Sequence, residues 1–93
     1  MNNANIIKIR KKLDKVDVKL LRVIKERSVL VDQVVKLKKT KKEIVDKKRI
    51  NFILKTIKKK SIIAKIDPLI TISIWKAMIK AFIEYEYRNI KKK

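Results

Sequence analysis

The side chains of this sequence that could do chemistry are mostly cations. Its 93 residues hold 28 Lys and Arg against 9 Asp and Glu, with no His and no Cys. Lack of His removes the commonest general base and the commonest metal ligand together. Lack of Cys removes a disulfide framework and any cysteine-based metal site. What remains is positive charge and hydrogen bonding. Only five of the cations are arginine, at Arg10, Arg22, Arg27, Arg49 and Arg88. A guanidinium grips a carboxylate in a planar, two-pronged way that an ammonium cannot copy. Arg27 and Lys38 stand 11 residues apart, about 20° around a helix and about 16 Å along its axis. Two long side chains can converge on one ligand from that separation.

These residues need long helices to position them. The chain has no Gly and one Pro, so turns must be few. Ile6, Leu13, Leu20, Ile24, Val31 and Val34 recur at spacings of three and four along one seam, shared with Arg10, Asp17, Arg27 and Lys38. This pattern predicts a first helix over about 5–39, roughly 50 Å long. Two short helices of the same chain cannot cover that length, so a second chain is implied. Lys38-Lys39-Thr40-Lys41-Lys42-Glu43 reads as the first connection. Asp46 is placed to cap a second helix with Ile50, Ile53, Leu54 and Ile57 on its apolar face, ending at Lys58-Lys59-Lys60-Ser61. Asp67-Pro68 is an N-cap followed by proline at the first helical position. The third helix carries Ile72, Trp75, Ile79, Phe82 and Glu86 before the basic tail Lys91-Lys92-Lys93. No repeat or linker is visible. The expected fold is all-α: a single domain over 1–93, with one long and two shorter helices, assembled as an intertwined homodimer.

The net charge of +19 points toward nucleic acid. The composition offers a plainer cause. Lys, Ile and Asn are abundant, Ala is scarce and Gly absent, which is what an A+T-rich coding sequence produces at solvated positions. The lysines are dispersed, aromatic residues are few, and no recognition-helix module stands out. A basic helical nucleic-acid-binding protein is therefore the reading from another class, and no specific nucleic-acid partner is expected. Met1-Asn2-Asn3-Ala4-Asn5 lacks the layout of a secretory signal, and no uncharged apolar run nears the ~18 residues of a membrane span. A cytoplasmic protein with no membrane partner is expected. The periodicity alone would also suit a purely structural helical dimer or a membrane-surface helix.

In the first helix Arg10, Asp14, Leu20-Leu21, Arg27 and Lys38 follow a layout that resembles the all-helical chorismate mutases. Asp46-Lys47-Lys48-Arg49 followed by Ile53-Leu54 resembles that family's second-helix start, and Asp67-Pro68, Ile74-Trp75, Met78-Ile79 and Glu86 its third helix. The likeness covers about Ile6 to Glu86. It implies the Claisen rearrangement of chorismate to prephenate in phenylalanine and tyrosine biosynthesis. The step is unimolecular and pericyclic, and it needs no nucleophile, metal or cofactor. The protein must hold the substrate compact and stabilise negative charge developing on the enol-ether oxygen.

By this resemblance Arg27 and Arg49 hold the substrate carboxylates, and Arg10 of the partner subunit reaches into the same pocket. Lys38 donates to the ether oxygen and to a carboxylate. Asp46 lies near the substrate hydroxyl, in addition to capping its helix. Glu86 stands where many members carry Gln. Only a protonated carboxyl can donate to the ether oxygen, so turnover is expected to fall as rising pH ionises Glu86. The plainer alternative for Glu86 is a carboxylate paired with Arg88 or a surface lysine. A chain so rich in cations puts some into any seam, but three of its five arginines fall where the family uses a fork. Two positions depart from the pattern. Ile50 replaces a glutamate that contacts the substrate hydroxyl, and Phe82 replaces a small hydroxyl residue; both make the pocket less polar. An isochorismate-pyruvate lyase-like activity is the alternative within the fold.

Overall fold

A computed structural model of the chain describes residues 3–90. The basic tail Lys91-Lys92-Lys93 lies outside the described residues. The fold is all-α. Helix α1 spans Asn3–Leu37, α2 Lys47–Ile63 and α3 Pro68–Asn89, with a single 3-10 turn at Lys41–Glu43 and no strand among the described residues. The chain divides into two compact units, residues 1–30 and 31–93.

The first unit consists of α1 up to Leu30. Nothing in its sequence interrupts the helical hydrogen-bond ladder, and the Ser28 hydroxyl donates back to the Ile24 carbonyl at 2.9 Å. Its apolar seam is open: Ile6 is 46% exposed, Leu13 55%, Leu20 54% and Ile24 36%. Helical periodicity without coverage is the pattern of a surface built to be buried against something else.

The second unit holds the end of α1 together with α2 and α3. Val35, Ile44 and Ile90 form its buried cluster, with Ile83 packed against them, and Ile79 is buried as well. Both later helices start as the sequence predicts. The Asp46 carboxylate accepts from the Arg49 N–H at 3.0 Å, and the Asp67 carboxylate from the Leu69 N–H at 2.9 Å with Pro68 next to it. Each cap satisfies a backbone donor that the helix itself cannot.

Two boundaries differ from the sequence reading. The first helix stops at Leu37, not at 39, and the connection runs on to Asp46. There the Glu43 carboxylate accepts from the backbone N–H groups of Lys39 and Thr40 (the latter at 3.1 Å), so a folded-back turn competes with further helix. The second helix does not end at Lys58–Ser61 but continues to Ile63. Lysine is a good helix former, so a lysine run is no stop signal. The stop lies further on, at Lys65, whose φ of 59° is left-handed. Ile66 N–H donates to the Ser61 carbonyl at 2.9 Å and Lys65 N–H to the Ile62 carbonyl at 3.1 Å, the paired bonds of a Schellman turn. Across the resulting α2–α3 hairpin, the buried hydroxyls of Ser61 and Thr71 share a 2.7 Å hydrogen bond. No helix among the described residues is long and apolar enough to cross a membrane.

Candidate functional site

The site is assembled on the second unit from three places distant in sequence. Lys38 follows the last turn of α1, Asp46 and Arg49 begin α2, and Glu86 lies near the end of α3. Packing of Ile83 and Ile90 onto Val35 and Ile44 holds α3 where Glu86 can meet Lys38. Lys38 Nζ donates to Glu86 Oε1 at 2.7 Å and lies 3.4 Å from the Ile44 carbonyl oxygen. The pair is nearly enclosed: the Lys38 side chain keeps 19% of its exposure and that of Glu86 9%. Removal from water strengthens such a bond, and also makes either charge costly to leave alone.

A second tie joins α1 to α3, at the residue next to Glu86. Tyr85 donates its hydroxyl proton to Asp32 Oδ1 at 3.1 Å, and Lys36 Nζ lies 3.2 Å from the other carboxylate oxygen. The hydrogen bonds from Lys36 and then from Tyr85 hold the Asp32 carboxyl below the usual aspartate range. The bond to Asp32 in turn pushes the Tyr85 hydroxyl above its ordinary value. Arg88 lies with its guanidinium 6.0 Å from the centre of the Tyr85 ring, so the cation that occupies Glu86 is Lys38 and not Arg88.

Beside Lys38 opens a cavity of about 700 Å³, lined by Val34, Leu37 and Val45 and by Lys38, Lys42, Glu43, Asp46, Lys47 and Lys48. Its acids are already engaged: Asp46 caps α2, and Glu43 accepts from Thr40 and Lys39. Those backbone bonds, Thr40's first, hold the Glu43 carboxyl below the usual range, so it stays an acceptor. The site thus offers amine donors above an aliphatic floor.

The other expected site residues lie as follows. Arg49 is exposed, with its guanidinium 5.4 Å from the centre of the Phe52 ring. Ile50 is half-buried and lines a different, apolar groove between α2 and α3 with Leu54, Ile79 and Ile83. Phe82 is half-buried on α3, one helical turn before Glu86. Arg10 and Arg27 belong to the first unit, Arg10 exposed and Arg27 half-buried. Within the second unit the structure brings Lys38 against Glu86 and places Lys38 and Asp46 on the lining of one cavity. Lys42, Lys47 and Lys48 do not stand out in the sequence, because nothing local separates them from other lysines. The Asp32–Tyr85 tie carries no sequence signal either.

The model of the protein family chorismate mutase type II matches residues 9–87, and the chain belongs to this family. Comparison with curated proteins and with solved structures yields no match.

Proposed function

We propose that the protein is a chorismate mutase that converts chorismate to prephenate for phenylalanine and tyrosine biosynthesis, as a cytoplasmic homodimer with one functional domain per chain. The enclosed Lys38–Glu86 contact carries this reading, because it joins the two residues assigned to the ether oxygen. The rearrangement moves electrons within one molecule, so the protein's task is to stabilise the polarised transition state. Lys38 donates to the ether oxygen, and a protonated Glu86 donates to the same atom. In the free protein Glu86 accepts from Lys38. A substrate carboxylate then takes the place of Glu86 beside the ammonium.

Arg27 and Arg49 supply forks for the two carboxylates, and Arg10 of the partner subunit a third. Asp46 combines its cap with a contact to the substrate hydroxyl. Phe82 presents apolar surface to the ring, and Ile50, which lines the separate groove between α2 and α3, leaves the substrate hydroxyl without the glutamate contact of the family. The open seam of α1 supports the dimer, since a second copy of that seam is a matching surface. A two-fold arrangement would then make two equivalent mixed sites.

The test is to incubate the purified protein with chorismate and follow prephenate against the uncatalysed background, with Arg27→Ala in parallel. Prephenate from the wild type and none above background from the variant is the expected result. No prephenate from a well-folded protein would exclude the activity, and isochorismate would be the next substrate to assay.

A further inference from the structure

The Lys38–Glu86 bond leaves a question about how a dianion is first attracted. Lys38 meets the reacting oxygen in the proposed mechanism, yet in the free protein its charge is cancelled 2.7 Å away by Glu86. A neutralised pair presents little field to an approaching anion. The cavity wall beside it carries three further amines, Lys42, Lys47 and Lys48. None of them makes an ion pair among the described residues. The acids of the same wall, Glu43 and Asp46, point their hydrogen-bonding capacity at backbone N–H groups of the turn and of α2. Lys42, Lys47 and Lys48 are all exposed, so nothing stands between them and an incoming ligand.

The placement of Lys47 and Lys48, just after the Asp46 cap, also runs against local helix stability. The first turn of α2 carries Lys47, Lys48 and Arg49 and no acidic residue. Cations at a helix start oppose the backbone dipole, so ordinary stability would favour acids there.

We infer that Lys42, Lys47 and Lys48 form an outer capture station that draws the substrate dianion into the cavity, ahead of its contact with Lys38. The inference rests on the proposed mutase reading for the identity of the dianion. These residues act before the chemical step and touch no reacting atom. A wall with four lysines against the two carboxylates Glu43 and Asp46 stays net positive, and a net positive wall raises the association rate of an anion, an effect that weakens as salt screens it. Substitution should therefore raise KM, leave kcat alone, and lose its effect at high salt.

The test compares the full-length wild type with the triple variant Lys42→Gln/Lys47→Gln/Lys48→Gln at low and high ionic strength. The substitutions relieve repulsion at the start of α2, and circular dichroism checks that the fold is kept. At low salt KM is expected to rise about tenfold with kcat unchanged, the difference shrinking at high salt. A KM that does not move, or a kcat that falls while KM stays, overturns the capture station and leaves the mutase reading intact. Titration with prephenate by calorimetry separates the two ideas. Wild type that binds prephenate without turning over chorismate, beside a triple variant that binds it more weakly, keeps the station and removes the mutase reading. Neither turnover nor binding in the wild type removes both.

Discussion

Lys38 and Glu86, 48 residues apart in sequence, meet through a 2.7 Å bond between Nζ and Oε1. The contact makes each residue the other's condition. On the proposed reading Lys38→Ala takes away a donor to the developing charge, and it leaves Glu86 enclosed without its cation. Loss of one such donor lowers kcat by about 10²–10³-fold. Steady-state kinetics with chorismate checks this, and a Lys38→Ala enzyme within a factor of a few of wild type would remove Lys38 from the site.

Glu86→Gln separates the two protonation forms. An amide donates at every pH, whereas a carboxyl donates only when it carries its proton. On the proposed reading the wild-type rate declines with rising pH, while the Gln variant gives a flat profile across the same range. Parallel profiles, or two flat ones, would take Glu86 out of the chemistry.

The Asp32–Tyr85 bond should shape stability at both ends of the pH scale. Asp32 is held below the usual range, by Lys36 first and Tyr85 second. A carboxyl with a lower pKa folded than unfolded stabilises the fold above the unfolded value, and this is lost as pH falls through the folded one. Tyr85 is pushed upward, chiefly by its bond to Asp32. Its contribution is present below the ordinary tyrosine value and is lost as pH rises through the raised one. Stability should thus form a plateau between an acid and an alkaline edge. Denaturation of Tyr85→Phe across pH is expected to show both edges softened; a profile identical to wild type would exclude the bond as a stabilising link.

Lys65 occupies a left-handed position, φ 59°, where a side chain crowds the following carbonyl. Lys65→Gly keeps the Schellman bonds and relieves that crowding. Urea denaturation is expected to show a gain of about 1 kcal/mol, against a loss for the β-branched Lys65→Val. No difference between the two variants would place the turn's strain elsewhere.

The Ser61–Thr71 hydroxyl pair bridges α2 and α3 where both residues are buried. Thr71→Val removes one partner, although Ser61 keeps its 2.6 Å bond to the Ile57 carbonyl. The expected cost is about 1–2 kcal/mol in chemical denaturation. Ser61→Ala combined with Thr71→Val should cost less than the two single changes added together, since the bond is lost only once.

Much of this architecture is legible in the amino-acid sequence alone. Asp67-Pro68 and Asp46 announce helix starts because their signals are local: a side-chain oxygen within reach of a backbone N–H a few residues on. The helix ends are harder to read. With no glycine in the chain, the stop at Lys65 looks like any other lysine, and the turn held by Glu43 depends on a hydrogen bond that composition does not reveal. The site shows the same division. Arg10, Arg27, Lys38 and Glu86 are singled out in the sequence by its resemblance to the family. That Lys38 is the cation on Glu86 depends on how Val35, Ile44, Ile83 and Ile90 pack, which is long-range information. Lys42, Lys47 and Lys48 emerge only when a cavity distinguishes them from the lysines around them.

The smallness of the interior bears on how much of the protein a cell must hold. Among the described residues, Val35, Ile44, Ile79 and Ile90 are the buried aliphatic side chains, whereas large aliphatic residues on all three helices stand open. A chain that gains most of its apolar burial from association has a folding equilibrium that includes its own concentration. For the proposed dimer, dilution would unfold the chain as surely as heat. Below a certain abundance such a dimer's polypeptide is made correctly and still lost to proteolysis, so on the proposed reading the level of expression becomes part of what specifies the native state.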